Sequence, residues 1–467
     1  MNTFVNAARQ QPDSLTENQA RTFASSLSSN VDFFFRAGAS RGKAEELVSI
    51  FNAAYREDPK IAIRNLLWAR DARNGAGERE LFRTILKRLP SNVKQALVPF
   101  VPEFGRWDDL EVLIEETDST STLAAATWQL AVQGGHGLAC KWAPRKGEVA
   151  VKLRNLWGMS PKQYRKTIVN GTNVVEQKMC AKQWFDINFE HVPSVAAARY
   201  RKAFERNALT AYMQYKERLD KGEAKINASA IYPHDVIRSA YQRGASESVA
   251  DAQWKALPNY VQGGGVLCMA DVSGSMSTAV SGSVTAMDIS VALALYTSER
   301  LTGPFKNLFM TFSSNPGFIT VNPNQSLRER ALSARNAEWG MSTDLNKAFA
   351  AILKMAIENN VPQSDMPSTL LIVSDMEFDN CGHLTNYQAV VNMYKQHGYE
   401  VPNIVFWNVN SRTQNVPVRF DQRGVALISG FSPSILQSVL GAEDMTPESI
   451  MLKTLMKDRY TIDGLTS

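Results

Sequence analysis

Hydrophobic periodicity divides the chain in two. Through residues 1–262 the apolar positions recur at helical spacing, whereas from residue 263 short apolar β-branched runs alternate with helical patterns. Asp58-Pro59 opens a helix with Ile61, Ile63, Leu66, Leu67 and Ala69 on its apolar face and Arg64 and Arg70 outside it. Asn74-Gly75 is expected to close that helix as a left-handed cap. A second helix starts near Glu78, carries Leu81, Phe82, Ile85, Leu86 and Leu89 at helical spacing, and stops at Pro90. Further amphipathic stretches lie around Leu123–Val132, Tyr164–Trp184, Val195–Leu219 and Asp235–Gln242. No fixed repeat period is evident, so the pattern predicts an irregular, HEAT-like helical array.

The pattern changes at Tyr260-Val-Gln-Gly-Gly-Gly265. Strands are expected at Val266–Ala270, Leu308–Phe312, Phe318–Val321, Leu370–Val373, Ile404–Val409 and Val425–Ile428. Helices are expected at Met287–Leu301, Leu345–Glu358, Tyr387–His397 and Ser434–Leu440. Near-continuous apolar strands separated by helices imply a doubly wound, mostly parallel sheet covered on both faces, of α/β (Rossmann-like) type. The expected organisation is a helical domain over 1–262 and an α/β domain over 263–467. Ligands of such sheets sit at the carboxyl ends of the strands, where the strand order reverses.

Composition adds little until charge is located. The four cysteines, Cys140, Cys180, Cys268 and Cys381, lie far apart with no C-x-x-C pair, which fits reduced thiols rather than a disulfide or zinc framework. No apolar run reaches the length of a membrane span, and the first residues lack a long apolar core, so a soluble cytoplasmic protein is expected. The net charge of +5 is uneven: residues 1–262 hold 37 Lys and Arg against 28 Asp and Glu, and residues 141–206 alone hold 14 against 5. That segment calls for a partner or a structural role.

Candidate chemistry begins at Asp271-Val-Ser-Gly-Ser275, a D-x-S-x-S run at the end of an apolar strand. Leu370-Leu-Ile-Val-Ser-Asp375 ends a second buried strand on a carboxylate, and Thr343 lies in the loop before the helix at Leu345. Asp271, Ser273, Ser275, Thr343 and Asp375 make an all-oxygen set suited to an octahedral Mg²⁺ or Mn²⁺, with water or a partner's acidic group completing it. The constellation resembles the metal-ion-dependent adhesion site of von Willebrand factor A domains over residues 263–467. Asp375-Met376 departs from that pattern, having no glycine after the Asp, and Thr343 lacks the paired glycines that commonly precede it. The run is not D-x-D, and no G-x-S-x-G, Walker loop or H-E-x-x-H occurs, so docking is expected rather than catalysis. The plainer alternative is a domain of this fold whose site binds nothing of consequence, or a metal that merely braces these loops.

The basic segment contains Lys141, Arg145, Lys146, Lys152, Arg154, Lys162, Arg165, Lys166, Lys178, Lys182, Arg199, Arg201, Lys202 and Arg206, interleaved with Trp142, Trp157, Tyr164, Trp184 and Tyr200. Cations neutralise phosphates and planar rings stack on unpaired bases, so an RNA partner is expected. The plainer alternative makes the aromatics core and the cations a solvated face. A helical array followed by an A domain resembles the Ro autoantigen (TROVE) proteins, which implies binding of small noncoding or misfolded RNA. A closer likeness is to a poorly characterised family with the same two-part layout. The matching stretches include Asn30-Val-Asp-Phe-Phe-Phe35, Arg70-Asp-Ala-Arg-Asn-Gly-Ala-Gly-Glu-Arg79, Phe104-Gly-Arg-Trp-Asp-Asp-Leu110, Lys141-Trp-Ala-Pro144, Val192-Pro193 and Ser374-Asp-Met-Glu-Phe-Asp379. Within the Arg70–Arg79 run, pairing of Arg70 and Arg79 with Asp71 and Glu78 is expected to lock two helices, rather than Arg73 and Arg79 meeting phosphate. His136, His191, His234, His383 and His397 are scattered, and His383 reads as a turn residue. The resulting expectation is a non-enzymatic RNA binder with a metal-dependent docking domain, or else a protein–protein adaptor that binds no nucleic acid.

Overall fold

The structure, a computed structural model, describes residues 9–116, 118–228, 231–241, 247–335 and 342–466. The carboxyl-terminal half is built on six strands: β1 (Val266–Asp271), β2 (Leu308–Phe312), β3 (Gly317–Thr320), β4 (Thr369–Ser374), β5 (Asn403–Asn408) and β6 (Val425–Ser429). Their order is β6-β5-β4-β1-β2-β3, parallel throughout except for the antiparallel edge strand β3. Strands β1 and β4 are buried at every residue because helices cover both faces, and that is why they read as unbroken apolar runs. The chain leaves β1 toward β2 on one side and later fills β4, β5 and β6 on the other, so the order reverses between β1 and β4. Asp271 ends β1 and Asp375 follows β4, which puts both carboxylates at the reversal point.

Helices dominate the first half, and their ends follow local chemistry. The Asp58 carboxylate caps the helix Pro59–Arg70 by accepting from the amides of Lys60 (2.9 Å) and Ile61 (3.1 Å). That helix ends at Arg70, before Asn74-Gly75, and the left-handed residue of the turn is Gly77 (φ +74°). The stretch expected over Tyr164–Trp184 is broken into Pro161–Gly171 and Val175–Cys180, with extended backbone at Thr172 and Val174 between them. Val195–Leu219 likewise divides at Ala208 into Ser194–Asn207 and Leu209–Asp220. The helix expected over Asp235–Gln242 is Pro233–Tyr241, and Gln242 lies outside the described residues.

One hydrophobic core runs from Phe23 to Ile462 and continues across the Gly263–Gly265 junction. Helix Ser29–Ala37 lies against β6: Ser429 Oγ donates to the Phe34 carbonyl (2.7 Å) and accepts from the Gly38 amide (3.0 Å). A Cβ at Gly38 would come within 2.7 Å of the Ser429 backbone, so only glycine permits this approach. A second, separate core gathers Ile187, Phe189, Val192, Phe204, Ala208, Tyr212, Tyr215 and Leu219. Residues of the basic segment therefore span a main body and a satellite.

Candidate metal centre and cationic segment

Asp271 is fully buried, and both carboxylate oxygens are held. Oδ1 accepts from the Ser273 amide (2.9 Å) and Oδ2 from the Ser374 hydroxyl (2.6 Å). The hydroxyls of Ser273 and Ser275 lie 3.2 Å apart, so the D-x-S-x-S turn presents its oxygens as one group. Asp375 Oδ1 accepts from the Glu377 amide (3.3 Å), whereas the buried Oδ2 accepts no hydrogen bond among the described residues and faces the Arg412 guanidinium at 3.6 Å. Thr343 is buried, and its carbonyl accepts from the Asp379 amide (3.0 Å), fastening the loop before helix Leu345–Glu358 to the segment after β4. The loops carrying all five predicted oxygen ligands thus meet at the reversal point.

The glycine absent after Asp375 has a local consequence. Met376 takes φ +67°, the left-handed conformation that glycine adopts freely. A side chain there costs on the order of 1 kcal/mol; the Met376 side chain is buried, and its amide donates to Ser374 Oγ (3.0 Å).

Carboxylates crowd the rim of this site. Burial, and then the nearby Asp375 carboxylate, push the Asp271 carboxyl well above the usual range. Burial also raises Asp375, opposed by hydrogen bonds from Ser275 and the Glu377 amide and by Arg412. Around Asp375 stand the carboxylates Asp271, Glu377 and Glu17 and the cations Arg412 and Lys43. A buried carboxylate oxygen that accepts no hydrogen bond among the described residues, beside hydroxyls and a second carboxylate, is hard-ligand chemistry, which fits Mg²⁺ or Mn²⁺. Among the described residues no three His, Cys, Asp or Glu side chains gather as a metal-holding group.

Sequence reasoning missed the amino-terminal strap over this rim. Thr16 Oγ donates to the Phe378 carbonyl (2.8 Å), the Glu17 amide to Glu377 Oε2 (2.7 Å) and Asn18 Nδ2 to the Glu377 carbonyl (2.7 Å). Arg412 bridges the two sides, 2.5 Å from Glu17 Oε2 and 3.6 Å from Asp375 Oδ2. These partners are separated by hundreds of positions, and no periodic pattern marks Glu17 or Arg412.

The Arg70–Arg79 run is structural as expected, but its partners are different. Arg70 makes a buried forked contact with Asp109 Oδ2 (2.8 and 2.6 Å), and Arg79 reaches Asp108 (2.6 Å) and Asp109 (3.1 Å). Asp71 instead receives Arg459 (2.5 and 2.9 Å) and the Tyr460 hydroxyl (3.1 Å), and Glu78 receives Arg41 (3.0 Å). Neighbours in sequence point apart here because Asp71 caps the helix end while Arg70 faces the Asp108-Asp109 turn. Gly105 makes room for the fork, since a Cβ there would stand 2.3 Å from Asp109 Oδ2 and 2.6 Å from Arg70 Nε.

The basic segment divides by exposure. Arg145, Lys146, Lys162, Arg165, Lys166, Lys182 and Lys202 are exposed and make no ion pair among the described residues. Lys162, Arg165 and Lys166 stand at i, i+3 and i+4 on helix Pro161–Gly171, opposite the buried Tyr164 and Ile168. Arg154 is half-buried, Lys152 donates to the Glu115 carbonyl (2.6 Å), Lys178 to the Asp186 carbonyl (2.7 Å), and Lys141 pairs with Glu176 (2.9 Å). Arg201 is buried and so adds nothing to an outer surface. Trp157 and Tyr164 are core residues, donating to the carbonyls of Ala125 (2.9 Å) and Pro144 (3.0 Å), which removes them as stacking platforms.

Comparison with known proteins gives relatives without an assigned activity. A domain of unknown function, DUF2828, matches residues 16–98 and 147–267, and another, DUF7788, matches residues 266–461. An uncharacterized protein of Acanthamoeba polyphaga mimivirus is 29% identical over 505 residues, covering 95% of this chain and 87% of that protein. Among solved structures, the chain is similar to the Deinococcus radiodurans RO (RSR) protein at 15% identity and a TM-score of 0.40, over 92% of this chain and 100% of that one.

Proposed function

We propose that this is a non-enzymatic RNA-binding protein whose helical part holds small structured or misfolded RNA, and whose α/β part is a von Willebrand A-type domain docking an acidic partner through Mg²⁺. The observation that carries the RNA reading is the set of exposed cations over residues 145–202 that pair with no carboxylate among the described residues. Folding does not use these charges, so they are left for a polyanion. The observation that supports the docking reading is the buried Asp375 Oδ2 at the sheet's reversal point, which among the described residues accepts no hydrogen bond and meets only the Arg412 guanidinium at 3.6 Å. Asp271, Ser273, Ser275, Thr343 and Asp375 would hold the ion, and the ion would supply an electrophilic position for a partner's carboxylate.

RNA affinity measured from low to physiological salt tests the first part. A steep fall in affinity with salt and a preference for RNA over DNA are expected; salt-independent or absent binding would sink it. Calorimetry of Mg²⁺ or Mn²⁺ with the wild type and Asp271→Ala tests the second, and unchanged binding in the variant would show the ligand set to be wrong. The metal rim on its own also supports an adaptor that binds no nucleic acid. Purification with and without nuclease separates the readings: a preparation with no nucleic-acid absorbance and a stoichiometric protein partner favours the adaptor.

A further inference from the structure

The main core and the satellite core are separated by a half-open cleft of about 550 Å³. On the main-body side it is lined by Leu138, Lys141 and Trp142, and on the satellite side by Ile187, Val195 and Tyr200. Clefts between two packed bodies are favoured places for ligands, and this volume lies within the range that holds a small organic molecule. Part of its wall is apolar and open to solvent: Leu138 and Val195 are each 47% exposed. Isolated exposed aliphatics are ordinary, but here two line one concavity.

The rest of the lining is cationic. Arg106, Lys141, Lys178 and Arg199 all line the cleft, against a single carboxylate, Glu176. Glu176 is already engaged, accepting from Lys141 Nζ (2.9 Å) and the Tyr200 hydroxyl (3.2 Å) across the two bodies. Arg106 stacks on the Trp142 ring at 4.0 Å as a flat platform while its guanidinium pairs with Asp108 (3.0 and 3.1 Å), so Lys178 and Arg199 are the lining cations with no carboxylate partner among the described residues. An apolar wall disfavours bare phosphate, and excess positive charge disfavours a neutral hydrophobe. What satisfies both is a flat ring joined to an anionic group.

We propose that this cleft binds one nucleoside phosphate unit, its base against the Leu138–Val195 wall and the Arg106–Trp142 stack, its phosphate at Arg199 and Lys178. The proposal rests on the RNA reading for its source: the unit is an unpaired nucleotide of a bound strand. A free nucleotide shares the same chemistry, and the test separates them. It also reassigns Lys141 and Lys178, which line a recess, away from the outer face carrying Lys162, Arg165 and Lys166.

Binding is measured by tryptophan fluorescence and calorimetry with uridine 5′-monophosphate, a short oligouridylate and a blunt RNA duplex. Val195→Glu adds an anion to an exposed wall position, and circular dichroism checks that the fold is unchanged. The expected result is a tenfold or greater loss of oligouridylate affinity in Val195→Glu with duplex affinity kept within twofold. Lys162→Glu combined with Arg165→Glu should weaken duplex and single strand alike. If Val195→Glu leaves single-strand binding unchanged while the Lys162/Arg165 variant abolishes it, the cleft assignment is overturned and the RNA reading stands. If the mononucleotide binds the wild type but not Val195→Glu, and no RNA binds, the cleft is a free-nucleotide site and the strand source is overturned. If neither nucleotide nor RNA binds, both readings fall.

Discussion

Charge is used in opposite ways in two parts of this molecule. Around Asp109, Asp71 and Asp375 the ionised groups are buried or nearly so, and each faces a counter-charge brought from far along the chain. Over residues 145–202 most cations are exposed and face water. By count alone the second region is conspicuous and the first invisible, yet the first holds the fold together. A charge is therefore read by what lies opposite it, and the predictions below divide along that line.

The largest effect should come from the buried side. Arg70→Ala takes the buried fork from Asp109, leaving Arg79 (3.1 Å) and Arg83 (3.2 Å) on its other oxygen, and should cost about 1.5–3 kcal/mol in urea denaturation, whereas Arg145→Ala and Lys146→Ala should be nearly neutral. Equal costs would erase the contrast. His234 gives a second measure of burial: it stacks on Tyr232, meets Phe431 edge-on, and burial lowers it to about 4, with Asp235 opposing and Arg41 and Arg238 assisting. Above its ordinary value of 6.5 the imidazole is neutral folded or unfolded, and its stabilising effect is complete. Below 6.5 only the unfolded chain takes up the proton, so stability should fall by roughly 3 kcal/mol toward pH 4. His234→Phe keeps the ring packing and should flatten that part of the pH–stability curve.

Smaller effects belong to binding. Asp271→Asn should lower Mn²⁺ affinity about a hundredfold in calorimetry without loss of stability, because it removes a buried, unneutralised charge. Reversing Lys162, Arg165 and Lys166 to Glu should leave the melting temperature unchanged, cut RNA affinity about tenfold or more, and lower the salt slope by about 3; a change in melting temperature instead would place these residues with the structural charges. Arg412→Gln removes a positive charge beside Asp375 and should tighten Mn²⁺ binding by about threefold to tenfold. No change would mean that Arg412 serves only Glu17.

Elements whose chemistry is local were legible in the sequence. The six strands fall where apolar β-branched runs stand, and helix Leu345–Glu358 was placed to the residue. That Asp271 and Asp375 end neighbouring strands was also readable, because D-x-S-x-S and a strand-terminal Asp are contiguous signals whose meeting follows from parallel topology. Breaks at Thr172 and Ala208 were not, since amphipathic spacing continues through them. Pairings such as Arg70 with Asp109, Asp71 with Arg459 and Arg412 with Glu17 were invisible, because they are decided by packing between distant segments. The same limit made Trp157 and Tyr164 look like stacking residues until their burial was seen.

The contacts of Asp71 and Arg64 set a timetable for folding. Arg64 donates to the carbonyls of Leu455 and Thr466, and Asp71 is satisfied by Arg459 and Tyr460, so the helix Pro59–Arg70 is completed by residues almost four hundred positions further along. During synthesis, helix Pro59–Arg70 must wait with a carboxylate and a guanidinium unmatched while nearly four hundred further residues emerge. Contacts of such long separation slow folding and leave partly built states exposed. A truncation that removes only the last dozen residues should therefore disturb the opposite end of the sequence first, and protease sensitivity around residues 59–75 would show it.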